Sequence, residues 1–154
     1  MAGTVSALAI GPDAALWAGG SFGVARWDGN RWAAVGTGAA DIGQVSCLAF
    51  SPAGDLIVGA YGVYRWTGTD WASLNLPLDA SIHALVYDSV GNLYVSGRES
   101  RIDNYFHFVA RRDGNQWVAL AGTYGDNGHN YLPIYSLAAD ASGNVYFGGD
   151  FSYL

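Results

Sequence analysis

Apolar residues in this chain occur in short runs separated by turn residues, and the same succession of runs returns several times. The first succession spans residues 5–35, and the second begins at Val45 with VSCLAFSPAGDLIVGAYGVYRWTGTDWASL. A third begins at Ile82 and a fourth at Ile134, which stops about halfway through. One leucine aligns the copies at spacings of 40, 37 and 52 residues: Leu8, Leu48, Leu85 and Leu137. Repeats of this length predict stacked supersecondary units.

Each full copy divides into four apolar runs, which are too short for helices and rich in β-branched and aromatic residues. In the first copy these runs are Val5–Ile10, Ala15–Ala18, Gly23–Trp27 and Arg31–Val35. Such runs predict strands. Turn pairs such as Gly54-Asp55 and Gly91-Asn92 predict tight hairpins, because Gly, Asn and Asp tolerate positive φ. No segment has the period and length of a helix. Four antiparallel strands per copy predict a β-propeller blade.

The repeat boundaries predict an all-β fold: a single incomplete β-propeller of about three and a half four-stranded antiparallel blades. The predicted blades span residues 4–43, 44–80 and 81–133, and half of a fourth blade spans residues 134–154.

Two motifs in these repeats are specific enough to suggest a family. The first copy reads L-x-x-G-G and then V-x-R-W-D-G-x-x-W, with Gly19-Gly20 and Trp32 at the marked positions. This pattern resembles the kelch and galactose-oxidase-like β-propeller repeats, in which a diglycine ends the second strand and a Trp begins the fourth. The hairpins Asp88–Val95 and Asp140–Phe147 resemble a bacterial variant of that repeat with D-x-x-G-N-L-Y-V. The resemblance implies a propeller, a fold that hosts both binding platforms and enzymes, and a secreted or cell-surface bacterial protein.

The count of blades leaves two sheet faces without a neighbour, since closed propellers typically have about four to eight blades. A four-stranded blade has a face of roughly 300 Å² from strand spacing and rise. Leaving it in water forfeits about 8 kcal/mol at roughly 25 cal/mol per Å². We therefore expect one of two solutions. Either the chain is part of a longer propeller, or copies of it associate to close a ring, two copies giving eight blades.

Composition and charge exclude several classes of function. The chain has 154 residues, 51% hydrophobic, and a net charge of −6 with seven basic residues. All seven are Arg. An acidic chain without a basic cluster is a poor ligand for nucleic acid. No run approaches the roughly 18 apolar residues of a membrane span, and the chain begins without a basic n-region, so we expect no signal peptide within it. The single Cys47 excludes an internal disulfide and is expected to be a small buried residue.

Residues that recur in every copy are expected to belong to the scaffold. Arg26, Arg65 and Arg111 occupy one repeat position, next to Trp27, Trp66 and Arg112. We interpret these arginines as structural, stacking on aromatic rings or pairing with carboxylates, with ligand binding as the alternative. Trp32, Trp71 and Trp117 are expected to pack between blades.

The third copy departs from the others by two insertions, one after its second strand and one after its fourth. They read RESRIDNY from Arg98 and TYGDNGHNY from Thr123. Both are expected to be loops at the same rim of the blade, where adaptable polar and aromatic side chains suit partner binding. The candidate binding residues are Arg98, Arg101, Asp103, Tyr105, Tyr124, Asp126, Asn127, His129 and Tyr131. The alternative is that these are tolerated surface loops.

The sequence contains no recognisable catalytic, metal or cofactor motif. The carboxylates lie in turns at blade spacing, and the histidines lack metal-ligand spacing. Asp103, Asp126 and Asn127 offer a weak calcium alternative without a calcium-loop pattern. We expect no cofactor and a non-catalytic binding or assembly module, with a protein or glycan partner at the rim loops. The alternative is a fragment of a larger propeller enzyme, carbohydrate-active or oxidoreductase, with its catalytic groups outside this chain.

Overall fold

The computed structural model of the chain describes residues 2–37, 39–100, 105–124 and 133–150. The strands of the first two repeats are β1 (Val5–Ile10), β2 (Leu16–Gly20), β3 (Gly23–Trp27), β4 (Trp32–Val35), β5 (Cys47–Phe50), β6 (Leu56–Ala60), β7 (Gly62–Trp66) and β8 (Trp71–Ser73). Those of the third and fourth are β9 (Ala80–Tyr87), β10 (Leu93–Ser100), β11 (Tyr105–Asp113), β12 (Gln116–Tyr124), β13 (Ile134–Ala139) and β14 (Val145–Gly149).

These strands form four antiparallel sheets, one from each copy of the repeat. β1–β4, β5–β8 and β9–β12 each form a four-stranded sheet in sequence order, and β13 pairs with β14. We call them the first to fourth sheets. The predicted all-β fold of four-stranded antiparallel sheets is confirmed for the three full copies. β9 begins at Ala80, so the third sheet starts one residue before the predicted boundary.

The sheets stack in chain order through their first strands. β1 contacts β5, β5 contacts β9, and β9 contacts β13. One apolar cluster lies between the first and second sheets and includes Val24, Val45 and Leu48. A second cluster lies between the second and third sheets and includes Ile82 and Phe108. Each inner sheet therefore buries apolar side chains on both faces, as its nearly continuous apolar strands require.

The predicted hairpin turns are present, and each contains a residue with positive φ, in the left-handed region of backbone conformation. Gly54, Gly91 and Gly143 have φ of +91°, +92° and +84°. In the first copy the equivalent residue is Ala14, with φ of +60°. An alanine at positive φ carries the steric cost that glycine avoids. The turn therefore keeps the same backbone conformation in the first copy, even though alanine replaces the glycine that favours it.

One short helical turn interrupts the strands. It is α1 (Ala39–Ile42), between β4 and β5. The sequence showed no helical period here, because four residues are too few to display one. Ile42 is buried in the cluster between the first two sheets, and the amide of Thr37 donates a 2.9 Å hydrogen bond to the carboxylate of Asp41. The turn covers the edge of this cluster. No helix of the described residues is long and apolar enough to cross a membrane.

The third sheet is longer than the other two. β10, β11 and β12 have 8, 9 and 9 residues, whereas β2, β3 and β4 have 5, 5 and 4. The extra length comes from residues predicted to be loops: Arg98 pairs with His107 and Ser100 with Tyr105. Backbone hydrogen bonds can continue a hairpin whatever its side chains are, and this explains why polar residues extend the ladder here.

Candidate functional site

The end of the third sheet carries those predicted binding residues that the structure describes. Arg98 lies within β10, opposite His107, and is not in a loop. Tyr105 begins β11 and Tyr124 ends β12. The other predicted residues lie outside the described residues: Arg101, Asp103, Asp126, Asn127, His129 and Tyr131. The calcium alternative at Asp103, Asp126 and Asn127 lies outside them as well.

The two segments predicted as rim loops leave the third sheet at the same end. Ser100 pairs with Tyr105, and the next residue of β11, Phe106, pairs with Tyr124. The chain therefore leaves β10 and β12 at the same end of the sheet, with β11 between them. The backbones of Tyr105 and Tyr124 lie at this end, as expected from an antiparallel meander.

A row of variable residues lines the inner side of the stack, one from each copy. It consists of Ser6, Ser46, His83 and Tyr135, which occupy one repeat position. The hydroxyl of Ser46 donates a hydrogen bond to the carbonyl of Ile82 in the next sheet. Nδ1 of His83 lies 3.2 Å from the carbonyl oxygen of Ile134, again in the next sheet. Two members of the row therefore tie neighbouring sheets together.

This row borders a cavity between the second and third sheets, with a volume of about 370 Å³. The lining residues are Gln44, Ser46, Ala60, Tyr61, Ser81, Ile82 and His83. These residues are not among those selected from the sequence. The available signal was the change of side chain, from serine to histidine and tyrosine, at a position that always follows a Val or an Ile.

His83 and His107 form a pair beside this cavity. Their ring centroids are 6.0 Å apart, and the ring of His83 is also 6.0 Å from that of Tyr135. Burial lowers the pKa of both histidines, and the positive charge of Arg98 lowers the two pKa values further. Both imidazoles are therefore neutral at pH 7. Within the described part of the chain, no group of three His, Cys, Asp or Glu side chains is placed to hold a metal ion.

Cys47 has the environment of a packing residue. Burial raises the pKa of its thiol to about 12, and the side chain packs against the cluster between the second and third sheets. A thiol held protonated is a poor nucleophile. Cys47 is therefore a small packing residue, as expected, but it is partly buried and not fully buried.

The described carboxylates near the hairpins act as turn residues. Asp88 accepts hydrogen bonds from the amides of Val90 and Asn92, at 3.0 and 2.8 Å. Burial alone would raise the pKa of Asp88, but the hydrogen bonds donated by Asn92 and Val90 outweigh it and lower that pKa. Asp140 holds the equivalent turn of the fourth sheet, where the side chain of Asn144 is the main cause of its lowered pKa. These carboxylates are kept ionised by their turns.

Two of the three recurring tryptophans, Trp71 and Trp117, contact a neighbouring sheet as expected, whereas Trp32 packs against Trp27 of its own sheet. The rings of Trp66 and Trp71 are 5.0 Å apart, and both pack against the cluster between the first two sheets. Nε1 of Trp117 donates a 2.9 Å hydrogen bond to the carbonyl of Leu74 in the second sheet. Trp71 and Trp117 therefore connect neighbouring sheets.

The outer face of the first sheet is uncovered. Val5 is 53% exposed and Leu8 60% exposed. Their equivalents in the second sheet, Val45 and Leu48, are 0% and 8% exposed because the first sheet covers them. Ile10 extends the uncovered strip along β1. Two copies of one apolar pattern thus have opposite environments.

Comparison with solved structures supports the class of fold. One similar structure is the extracellular domain of a protein named as a hybrid two-component system from B. thetaiotaomicron, with a TM-score of 0.56 and 12% identity over 96% of this chain and 26% of that chain. Another is virginiamycin B lyase from Staphylococcus aureus, with a TM-score of 0.51 and 8% identity over 93% of this chain and 62% of that chain.

Both structures are propeller-like, and the chain is accordingly a propeller-like all-β domain. At these identities the likeness establishes the fold alone. The chain spans less than two thirds of the length of either structure. No protein-family model and no curated protein sequence matches it.

Proposed function

We propose that this chain is a non-catalytic binding and assembly module. In this proposal it is a β-propeller scaffold that completes its ring with further blades of the same type, from another copy or from a longer chain. The end of the third sheet then meets a protein or glycan partner. The observation that carries the assembly function is the exposure of Leu8, 60% against 8% for its equivalent Leu48.

The repeat itself specifies what fits the uncovered face. In the first sheet, a Cβ built on Gly19 would lie 2.5 Å from Val45 and 3.1 Å from Leu48, so the missing side chain makes room for the second sheet. Gly148 is the equivalent residue of the fourth sheet, where a built Cβ approaches, among the described residues, only the hydroxyl of Ser136. The fourth sheet thus keeps room for a residue like Val5 of another first sheet.

The free energy of burying apolar surface favours a partner that covers the outer face of the first sheet. Val5, Leu8 and Ile10 form a continuous apolar strip on one strand, and exposed apolar surfaces of this kind mark interfaces. Burial is worth roughly 25 cal/mol per Å² of apolar area. The neighbours of similar fold are longer than this chain, which is consistent with additional blades in such domains.

The test is the mass of the purified chain in solution, measured by light scattering after size exclusion. We expect the wild type to associate, with a mass that is a multiple of 16.2 kDa. Leu8→Asp should shift the population toward single copies, because a carboxylate cannot be buried at that interface without a partner.

Val90→Asp is the matched control, since Val90 is 79% exposed in a turn that is remote from β1. It should leave the association unchanged. A soluble, well-behaved wild-type chain with the mass of one copy would contradict the assembly proposal.

The rim proposal needs a separate test. Residues 122–124 belong to β12, so the replacement should be limited to residues 125–132 and made with a short Gly-Ser linker. We expect glycan-array or partner binding to be lost while thermal stability is kept. Unchanged binding by the replaced chain would contradict a role for this segment.

Two of the described carboxylates, Asp88 and Asp140, accept hydrogen bonds from backbone amides of their turns, a structural use that is consistent with the proposed binding module. The alternative, a fragment of a propeller enzyme with catalytic groups elsewhere, is decided by the parent gene. A stop codon directly after Leu154 would exclude it.

A further inference from the structure

A second cleft lies between the second and third sheets, on the side of their outer strands. It has a volume of about 380 Å³. Its lining residues are Arg65, Ala72, Ser73, Leu74, Asn75, Arg112 and Asn115. Two guanidinium groups from neighbouring sheets thus share a mainly polar cleft, and no carboxylate of the described residues lines it.

Arg65 is the exception among three equivalent arginines. Arg26 lies 2.5 Å from the carboxylate of Asp13 and stacks over Trp17 at 5.7 Å. Arg111 lies 3.2 Å from Asp113. The structural interpretation is therefore supported for Arg26 and Arg111.

Arg65 has lost the carboxylate that its equivalent uses. The turn that supplies Asp13 in the first copy reads G-P-D-A, and in the second copy it reads S-P-A-G, with Ala53 at the position of Asp13. Within the described residues Arg65 forms no ion pair, and its side chain borders the cleft.

Arg112 is the exception at the next repeat position, where the other copies have Trp27 and Trp66. Those tryptophans pack against Trp32 and Trp71. Arg112 instead donates a 3.3 Å hydrogen bond from Nη2 to the side-chain oxygen of Asn115.

Nε of Arg112, like Nε of Arg111, is buried without a hydrogen-bond partner among the described residues, but only Arg112 borders the cleft. A buried charged donor without an acceptor is costly, and such groups call for an unobserved partner. Two departures from the repeat, at neighbouring positions of two sheets, therefore bring two groups into one cleft: the exposed Arg65, which has no ion pair among the described residues, and Arg112 with its unpartnered Nε.

We propose that this cleft binds the carboxylate of a small sugar acid. Guanidinium forks match the two oxygens of a carboxylate. Ser73, Asn75 and Asn115 add hydroxyl and amide groups that can donate to or accept from sugar hydroxyls. The volume lies within the roughly 300–1,000 Å³ of small-molecule sites.

The charge of the whole chain argues for a ligand with a single charge. The net charge of −6 repels anions at long range, and this repulsion grows with the charge of the ligand. A polyanion therefore gains less than a monocarboxylate that reaches Arg65 and Arg112 at short range.

The test is a calorimetric or NMR titration of the full chain with sodium galacturonate, galactose and glutamate. We expect saturable binding of galacturonate and at least about tenfold weaker binding of galactose, because charged hydrogen bonds to the carboxylate are lost. Glutamate should bind more weakly than galacturonate, since it lacks the hydroxyls. Equal binding of galactose, equal binding of glutamate, or no saturable binding of galacturonate would overturn the proposal.

Three variants address the cleft in different ways. Arg65→Ala removes one guanidinium, and Arg112→Trp restores the aromatic residue of the other copies, a change the fold accepts at Trp27 and Trp66. Ala53→Asp restores the missing carboxylate and neutralises Arg65 without removing it. Each should weaken galacturonate binding at least about tenfold.

Arg26→Ala is the matched control, because it removes the equivalent arginine from the first sheet and changes the net charge as Arg65→Ala does. It should leave the affinity for galacturonate unchanged. Equal weakening by both variants would show a general charge effect and would overturn the site. This inference does not depend on the proposed assembly function, because Leu8 is not among the residues that line the cleft.

Discussion

Residues at equivalent positions of the repeats differ in what they contact. This difference distinguishes residues that hold the sheets together from residues that depart from the repeat. Gly59 belongs to the scaffold: a Cβ built on it would lie 2.5 Å from Sγ of Cys47 and 2.6 Å from Cγ2 of Ile82. The close approach of the second and third sheets therefore requires the absence of a side chain. Gly148 occupies the same repeat position, and no described residue of another sheet lies as close to it.

Gly59→Ala should lower the free energy of unfolding by about 1–3 kcal/mol, because the added methyl group overpacks the contact between two sheets. Gly148→Ala is the matched control and should cost clearly less, since only the rotatable hydroxyl of Ser136 must move. Urea unfolding followed by tryptophan fluorescence measures both. Equal costs would contradict the packing argument.

Single residues were predictable where the reason was local. The glycines of the hairpin turns, the turn carboxylates and the small, partly buried Cys47 follow from backbone geometry and size. The partner of an arginine was not predictable, because it depends on which carboxylate another turn brings near. Arg26 has Asp13, whereas Ala53 leaves Arg65 without the equivalent.

Elements followed the repeat closely in two copies and departed from it in the third. The apolar runs predicted the strands of the first sheet to within two residues. In the third sheet, Arg98 and Ser100 looked like loop residues because they are polar, yet they continue β10. The length of a strand is decided by its backbone hydrogen bonds. The polarity of the side chains indicates that length only where one face of the strand is buried.

The histidine pair at this longer sheet predicts a pH dependence of stability. Both pKa values lie below the ordinary 6.5, mainly through burial. As the pH falls through 6.5, the unfolded chain takes up protons before the folded chain does, so stability should fall. Urea midpoints at pH 7.5 and pH 5.5 measure this loss.

His107→Phe should reduce that loss while keeping the size of the buried ring. Nδ1 of His107 has no hydrogen-bond partner among the described residues, so a ring without nitrogen should be tolerated at pH 7.5. The remaining pH dependence should come from His83. An unchanged drop between the two pH values would contradict the assignment to His107.

The whole molecule is a stack of sheets, and the position of a sheet in the stack decides how far its side chains are buried. Leu8 and Leu48 occupy the same repeat position in equivalent strands, β1 and β5, but only Leu48 is covered by a neighbouring sheet. Similar sequences therefore contribute differently to stability. This property belongs to the assembly of sheets and to no single copy.

Leu48→Ala should lower the free energy of unfolding by about 2–5 kcal/mol, because it leaves a cavity between two sheets. Leu8→Ala should cost less than about 1 kcal/mol under conditions that keep single copies apart, since the side chain is 60% exposed. Thermal or urea unfolding at low protein concentration compares the pair. A large cost for Leu8→Ala in single copies would contradict the uncovered face.

The sequence by itself determined the repeat, the antiparallel hairpins and the apolar faces, because these depend on the alternation of side chains and on turn residues that are neighbours in the chain. The tertiary structure alone decided the length of the third sheet and the burial of Leu48 but not of Leu8. It alone also placed Arg65 and Arg112 in one cleft. Those features depend on contacts between sheets, which join residues far apart in the chain and leave no local pattern.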